Sequence, residues 1–390
     1  MKAKHIVLRT NRLASRDVFS GPAMLESAAA AEVSVQIEEL DRRDIATITR
    51  DADVVALAPA MPMKLIEPTD SHAATPAEAG DLAWGVRAVK ADTSTRNGQG
   101  IIVAVLDTGI DVSHPAFQGV ELLRRNFTAD SDDDMHGHGT HCAGTIFGRR
   151  VGGTRIGVAP GVQKALIGKV LGNDGGSSEQ IVSAILWACD NGAHVISMSL
   201  GMDFPGFARF LREQQGFPEE LAVSRALEGY RANILLFERL ATLIRARSNP
   251  TVIVDAAGNE SRRDTDPRFE LAVSPPAVSE GIISVAAVGQ SGGALAVAGF
   301  SNTGANVCAP GVGVVSAGLG GGLRSMSGTS MATPHVAGVA ALWAQQLRSI
   351  GILSALNLTA KIVGGATFQG LVDGIDPFDV GAGLVLAPQP

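Results

Sequence analysis

Five nearly uninterrupted apolar runs follow one another from Gly100 onward, and they constrain the fold more than any other feature of the chain. The runs are GIIVAVLD (100–107), QKALIGKVLG (163–172), AHVISMSLG (193–201), TVIVDAAGN (251–259) and GIISVAAVG (281–289). A strand that helices cover on both faces is apolar along its whole length, whereas a half-exposed strand alternates. The runs therefore predict an α/β fold with a doubly wound, mostly parallel central sheet and helices on both faces.

The segment between the second and third runs predicts one of the covering helices. It reads SSEQIVSAILWACDNG (177–192), in which Ser177 and Gln180 have the spacing of a capping box. Asn191-Gly192 is typical of a helix end. Strand, helix and strand in this order predict a parallel crossover.

The first part of the chain predicts a separate small α+β domain over residues 1–66. Its pieces are two strands (5–10 and 33–40), a short helix (42–50) and a strand that runs into an extended tail (53–66). Residues 67–83 are rich in proline, alanine and acidic residues and have no periodicity, which predicts a linker. The main domain would then span residues 84–390.

Charge and hydropathy exclude several classes of partner. The net charge of −7 leaves no basic surface for nucleic acid, and no lysine or arginine run suggests an anionic membrane. No apolar stretch reaches the length of a signal peptide or a membrane span, so the chain as written is expected to be cytoplasmic, with secretion as the alternative. Three widely spaced cysteines indicate no disulfide framework.

Polar residues at the ends of three apolar runs indicate where a site would lie. Asp107, the segment Ser199-Leu200-Gly201 and Asn259 each close one run. Active residues of open α/β sheets gather at the carboxyl ends of the strands, so we expect these groups at one edge. Each group alone is also typical of ordinary turns.

Residues 132–142, DDDMHGHGTHC, leave two kinds of chemistry open. His136, His138 and His141 lie near carboxylates at spacings familiar from zinc hydrolases, which makes a metallohydrolase the first hypothesis. In the second hypothesis one of these histidines is a general base. Ser330 begins an apolar helical stretch, and Asp107, a histidine and Ser330 supply the three groups of a nucleophilic triad in the order Asp, His, Ser.

Eight ordered motifs resemble those of the subtilisin-like serine peptidases, the subtilase family. They spread from about residue 84 to the end of the chain and read AVLDTGID (104–111), HGTHCAGT (138–145), KVLGNDGG (169–176), SMSLG (197–201), AAGNE (256–260), APGV (309–312), GTSMATPHVAG (328–338) and VGAGLV (380–385). The resemblance implies the subtilisin-like fold and a serine endopeptidase that works through an acyl-enzyme. A catalytically silent binding protein on the same fold is the further alternative.

The resemblance also implies a role for each matching residue. Asp107 would orient the imidazole of His138, which would be neutral at rest and act as the general base, while Ser330 would be the nucleophile and Asn259 an oxyanion donor. Two groups would bind an extended peptide: the edge segments Gly175, Gly176, Ser177 and Ser199, Leu200, Gly201, and a pocket wall of Ala256, Ala257 and Gly258. His141 would hydrogen-bond within its helix, and His136 receives no task.

Four further expectations follow from the resemblance and from departures from it. The N-terminal domain resembles a propeptide that inhibits the enzyme intramolecularly, with AMPMKLI (60–66) in the cleft; a permanently attached regulatory domain is the alternative.

An insertion at about 203–249 contains a helix with a core stripe of Leu227, Ile234, Leu235, Leu240 and Leu243, while residues 203–217 would border the cleft. The Pro275-Pro276 bond would be cis.

No cofactor is implied for the chemistry, but family members often hold structural calcium. Ala116 stands where secreted members carry a carboxylate, and the loop GRRVGGTR (148–155) has three arginines that would repel a divalent cation. We therefore expect the strong calcium site to be absent. For Asp132 to Asp134, a solvated acidic loop and a weaker calcium site both stay open.

Overall fold

The computed structural model describes residues 2–11, 32–75, 78 and 80–390. The strands are β1 (Ala3–Asn11), β2 (Glu32–Leu40), β3 (Val54–Pro59), β4 (Pro62–Leu65), β5 (Asp70–Ala73), β6 (Ile102–Asp107), β7 (Glu121–Asn126), β8 (Arg150–Val151), β9 (Thr154–Arg155), β10 (Lys164–Lys169), β11 (Gly176–Ser177), β12 (Val195–Met198), β13 (Leu200–Met202), β14 (Val252–Ala256), β15 (Ile282–Ser291), β16 (Ala294–Val297), β17 (Val307–Pro310), β18 (Val314–Ala317) and β19 (Leu323–Ser327). The α-helices are α1 (Arg42–Ile48), α2 (Trp84–Ala88), α3 (His138–Phe147), α4 (Ser178–Asp190), α5 (Phe204–Glu213), α6 (Glu219–Arg245), α7 (Thr329–Ser349), α8 (Ala355–Val363) and α9 (Pro377–Val380).

The central sheet has eight strands and confirms the doubly wound prediction. Seven strands lie in the order β16-β15-β14-β12-β6-β10-β7, and β17 pairs with β15. All pairs are parallel except β15 with β16, which is an antiparallel edge hairpin. The five apolar runs contain β6, β10, β12, β14 and β15. Edge strand β7 is too polar to give such a run.

The strands are apolar throughout because two separate cores cover the two faces. Val103 and Val105 of β6 belong to a core with α3 and α7, whereas Ala104 and Leu106 belong to a core with α4 and α6. Helix α4 begins with the predicted capping box, since Ser177 Oγ accepts from Gln180 N and the Gln180 side chain accepts from Ser177 N. Alternating residues thus serve different cores.

The N-terminal domain shares the core of α4 and α6. Its antiparallel sheet has the order β2-β1-β3, and Ile6 and Leu8 of β1 lie in the same apolar cluster as Leu236 and Phe237 of α6. The buried side chain of Asn233 on α6 donates to Pro59 O at 2.8 Å. This packing directs the chain after β3 toward the carboxyl edge of the central sheet.

The residues after β3 form two strands with the main domain. Strand β4 lies between β11 and β13 and is antiparallel to both, and β5 pairs with β19 of the β18–β19 hairpin. The sequence predicted an aperiodic linker here. Residues 70–73 adopt a strand because the edge of β19 supplies backbone partners, not because of their own β-propensity.

The insertion forms helices α5 and α6, and one part of its predicted core stripe is wrong. Leu240 is buried, but the side chains of Leu227 and Leu235 are 47% and 45% exposed. The buried face of α6 instead carries small residues, among them Ala222, Ala226 and Gly229. A side-chain carbon on Gly229 would lie 2.8 Å from Met61 Sδ, so the approach of the N-terminal tail selects small residues there.

Among the described residues, no helix is both long and apolar enough to cross a membrane.

Candidate functional site

Asp107 and His138 are brought together by the turn after β6 and the start of α3. Asp107 Oδ1 lies 2.8 Å from His138 Nδ1, and both side chains are almost fully buried. The close approach requires glycine at position 139, because a side-chain carbon there would lie 2.2 Å from Gly109 O. The Asp-Thr-Gly turn and the His-Gly pair therefore fit each other as one unit.

Asp134 joins the turn after β6 to the start of α3 and so holds this unit in place. Its carboxylate accepts five hydrogen bonds, from Thr108 Oγ1, His136 N, Gly137 N, Thr140 N and Thr140 Oγ1. The prediction of a solvated acidic loop is wrong for Asp134, which is 5% exposed, although Asp132 and Asp133 are exposed. An oxygen acceptor just before a helix start satisfies the free N–H groups there.

Ser330 is the second residue of α7 and is fully buried under the N-terminal tail. Its Oγ donates to Ile66 O at 2.8 Å. Pro334 lacks the N–H that would normally bond the carbonyl four residues earlier. The freed Ser330 O accepts from Cys142 Sγ at 3.4 Å, which links α7 to α3 behind the candidate nucleophile.

Asn259 lies beside Ser330, with its side chain fixed by the start of α7. Its Oδ1 accepts from Thr329 N at 2.8 Å and from Thr329 Oγ1 at 2.9 Å. This leaves the amide group free to donate, and Nδ2 lies 2.8 Å from Glu67 O. The Asn259 side-chain amide and the start of α7 thus both point at the peptide backbone that passes Ser330.

Opposing influences act on the pKa of His138. Burial alone would lower this pKa, but the charge of Asp107 and the neighbouring Cys142 raise it well above its usual value. The Nε2 atom of His138 is buried without a hydrogen-bond partner among the described residues. It is the ring atom at which a neutral His138 would accept a proton as general base.

The other two histidines face different partners, so the three imidazoles do not converge on one point. His136 Nε2 lies 3.3 Å from Glu67 Oε2. His141 Nε2 lies 3.0 Å from Val314 O and 3.2 Å from Arg324 O, outside its own helix, so the intrahelical prediction is wrong. Burial, with His138 nearby, lowers the pKa of His141 to about 3. This geometry does not fit the three-histidine metal site of the first hypothesis.

The predicted peptide-binding segments surround β4. Gly176 and Ser177 pair with Met63 and Pro62, and Leu200 and Gly201 pair with Leu65 and Lys64. Ser199 O accepts from Ile66 N at 3.2 Å. Gly175 has φ +81°, and a side-chain carbon on it would lie 2.6 Å from Met63 O.

The predicted pocket wall lies across from these segments. Ala256, Ala257 and Gly258 are all buried, and Gly258 N donates to Thr329 Oγ1 at 3.1 Å. The adjoining Pro275-Pro276 bond is cis.

Two arginines of the loop of residues 148–155 bond to backbone carbonyl groups outside the loop. Arg149 Nη1 donates to Phe147 O and Pro160 O, and its Nη2 lies 2.9 Å from Val162 O. Arg155 Nη2 donates to Ala91 O at 3.0 Å. These bonds hold two positive charges at the loop, where they would oppose the binding of a divalent cation.

Cys142 should make the site sensitive to mercurials. Its Sγ lies 3.7 Å from His138 Nδ1, and burial raises the pKa of the Cys142 thiol. A mercury atom bound to this sulfur would displace His138, so we expect p-chloromercuribenzoate to abolish any hydrolysis that depends on His138 in wild type and not in Cys142→Ala. Cys308→Ala, which removes a buried thiol from a different apolar cluster, is the matched control. Full inhibition of Cys142→Ala would contradict this role.

Comparisons with known proteins identify relatives of this chain. The family model described as the subtilase family matches residues 98–383. A thermophilic serine proteinase of Bacillus sp. (strain AK1) is 35% identical over 74% of this chain and 61% of its own length. A thermostable alkaline protease of Halalkalibacterium halodurans is 34% identical over 87% of this chain and 81% of its own length.

A solved structure has the same fold. Fervidolysin from Fervidobacterium pennivorans, described as a keratinolytic enzyme related to subtilisin, superposes with a TM-score of 0.66 at 24% identity and covers 100% of this chain and 62% of its own. This chain thus spans about three fifths of the length of fervidolysin and of the Bacillus relative. Because the family model covers most of the chain and the alkaline protease is 34% identical over 87% of it, the chain belongs to the subtilase family.

Proposed function

We propose that the protein is a serine endopeptidase whose catalytic residues are Asp107, His138 and Ser330. One observation carries the proposal: the serine hydroxyl lies 2.8 Å from the carbonyl oxygen of Ile66, in a peptide that crosses the site as a β-strand. The Asp107–His138 pair, which Cys142 Sγ links to the backbone of Ser330, would supply the base and its partner. These groups require no cofactor for the reaction.

Each residue has a distinct step in the proposed mechanism. His138, once neutral, takes the proton from Ser330 as Oγ bonds to the substrate carbonyl carbon, and Asp107 stabilises the imidazolium. Asn259 Nδ2 and the Ser330 N–H, one of the free donors at the start of α7, stabilise the oxyanion. His138 then protonates the leaving amine, and an acyl-enzyme on Ser330 remains. Water, deprotonated by His138, hydrolyses this ester and regenerates the serine.

The protein is proposed to be made as a zymogen in which residues 1–66 inhibit residues 84–390. The tail takes the place of a substrate between β11 and β13, and Ser330 and His138 are fully buried while it lies there. The peptide bond after Ile66 is the one nearest the nucleophile, so the first cut would release residues 1–66. In the intact chain Asn259 donates to the next carbonyl, that of Glu67. Attack therefore needs a small shift of the tail.

Self-processing is the test of this function. Wild-type protein is expected to convert to a shorter form whose N-terminal sequence begins EPTD, because the cut falls between Ile66 and Glu67. Ser330→Ala should stay at full length over the same incubation, while Ser349→Ala, at the exposed end of the same helix, should process like wild type. The two chains are followed by intact-mass measurement and N-terminal sequencing. Processing of Ser330→Ala at the wild-type rate would contradict the proposal.

A further inference from the structure

Lys64 is the one residue of β4 whose side chain projects away from the protein. Its neighbours Met63 and Leu65 are 2% and 9% exposed and lie in the core. The Lys64 side chain is 45% exposed, and its Nζ lies 3.4 Å from Asp203 Oδ1. Lys64 lies two positions before Ile66, whose carbonyl oxygen accepts from Ser330. The ion pair therefore indicates which side chain the cleft would bind two positions before the attacked carbonyl.

Asp203 is held rigidly beside the peptide. It directly follows β13, its N donates to Pro62 O at 3.2 Å, and its Oδ1 accepts from Gly206 N at 3.2 Å at the start of α5. A side-chain carbon on Gly206 would lie 2.0 Å from Asp203 Oδ2, so any larger residue at position 206 would clash with the carboxylate. A charge that is already fixed by a backbone cap costs little additional entropy when it pairs with a peptide.

Asp203 has no other cationic partner in the described part of the chain. Lys64 is its sole ion-pair partner there, and removal of the tail leaves the carboxylate facing the emptied strand position. The long apolar stem of a lysine or arginine can lie along the cleft while its charged end reaches Asp203. The insertion begins at this residue and so adds a negative charge directly to a peptide-binding strand.

We propose that Asp203 is a specificity-determining residue that selects a basic residue two positions before the residue whose carbonyl is attacked. The inference rests on the proposed function, because it assumes that a substrate binds in the cleft as the tail does. Both partners are partly exposed, and exposed ion pairs contribute modestly, so the preference for lysine over a neutral side chain is expected to be about two- to five-fold in kcat/KM. Higher salt should reduce this preference.

The experiment compares three peptides on the self-processed enzyme. The peptides share the sequence Pro-Met-X-Leu-Ile-Glu with X as lysine, norleucine or glutamate, and the order of kcat/KM should be lysine, then norleucine, then glutamate. Asp203→Asn keeps an oxygen that can cap α5. It should bring the lysine-to-norleucine ratio to about one, because the lysine peptide loses its charged partner and the norleucine peptide has none to lose. Asp203→Lys should reverse the order and favour glutamate over lysine.

Glu213→Gln, which removes an exposed charge at the other end of α5, is the matched control and should leave every ratio unchanged. An unchanged lysine-to-norleucine ratio in Asp203→Asn, or an equal loss for all three peptides, would overturn the proposal and leave Asp203 as a helix cap alone. If wild type cleaves none of the peptides while correctly folded, the proposed function itself fails. Cleavage with no preference at X overturns only the role of Asp203.

Discussion

Replacing His138 with alanine is expected to lower kcat about 10⁶-fold, the size measured for the corresponding loss in subtilisin, with little change in KM. The side chain touches no part of the tail through a hydrogen bond in the described residues, so its loss should not weaken peptide binding. The substitution removes the side chain proposed as the general base, which lies 2.8 Å from Asp107. The tail of this variant is cut at a site for an unrelated protease engineered into the linker, and cleavage of a fluorogenic peptide is then measured at saturation.

Two variants make this result specific. Asp107→Asn should lower kcat less, by about 10⁴-fold. The imidazole remains, but no carboxylate fixes its tautomer or stabilises the imidazolium that forms during the reaction. His136→Ala changes an exposed imidazole only two residues from His138 and is expected to keep kcat within a few-fold of wild type for a peptide with alanine after the cut. A large loss in His136→Ala with a small loss in His138→Ala would contradict the assigned base.

The convergence of Asp107, Ser199 and Asn259 could be predicted because it follows from strand direction. Parallel strands place their carboxyl ends at one edge, and the apolar runs identified those ends directly. The choice among His136, His138 and His141 did not follow from their spacing. The choice depended on which imidazole lies against Asp107. The close contact between Gly109 and Gly139, two residues far apart in the sequence, determines this.

The parts that sequence reading missed depend on partners rather than on local pattern. Strand β5 reads DSHA, which has no strand signal, and it exists because β19 offers an unpaired edge. In the first half of α6, leucine spacing predicted the wrong face, because the close approach of Met61 and of α5 requires small residues on the buried face there. Large apolar residues such as Leu227 were then left on the outside.

Asp134 gives the second large effect, on stability rather than on chemistry. Asp134→Ala would leave five buried or half-buried donors without their acceptor, and we expect the free energy of unfolding to fall by about 3–5 kcal/mol. Asp134→Asn should cost less, since its oxygen still accepts while its amide faces the Thr140 donors. Denaturant unfolding would be measured in the Ser330→Ala background, which prevents self-digestion. Asp133→Ala, whose carboxylate is 76% exposed, should change stability by less than about 0.5 kcal/mol.

The pH dependence of the free energy of unfolding distinguishes the effect of the Asp134 charge from the effect of its side-chain shape. Burial alone would raise the pKa of Asp134, but the hydrogen bonds from Thr140, Gly137 and Thr108 lower it below the usual value. A group whose pKa is lower in the folded state stabilises the fold above its unfolded pKa, about 3.9, and loses that contribution as pH falls through the folded pKa. The stability difference between the parent and Asp134→Asn should therefore be constant near neutral pH and shrink below about pH 4. A difference that stays constant down to the acid transition would mean that the carboxylate charge contributes nothing, and that only the shape of the side chain holds α3 against the Asp-Thr-Gly turn.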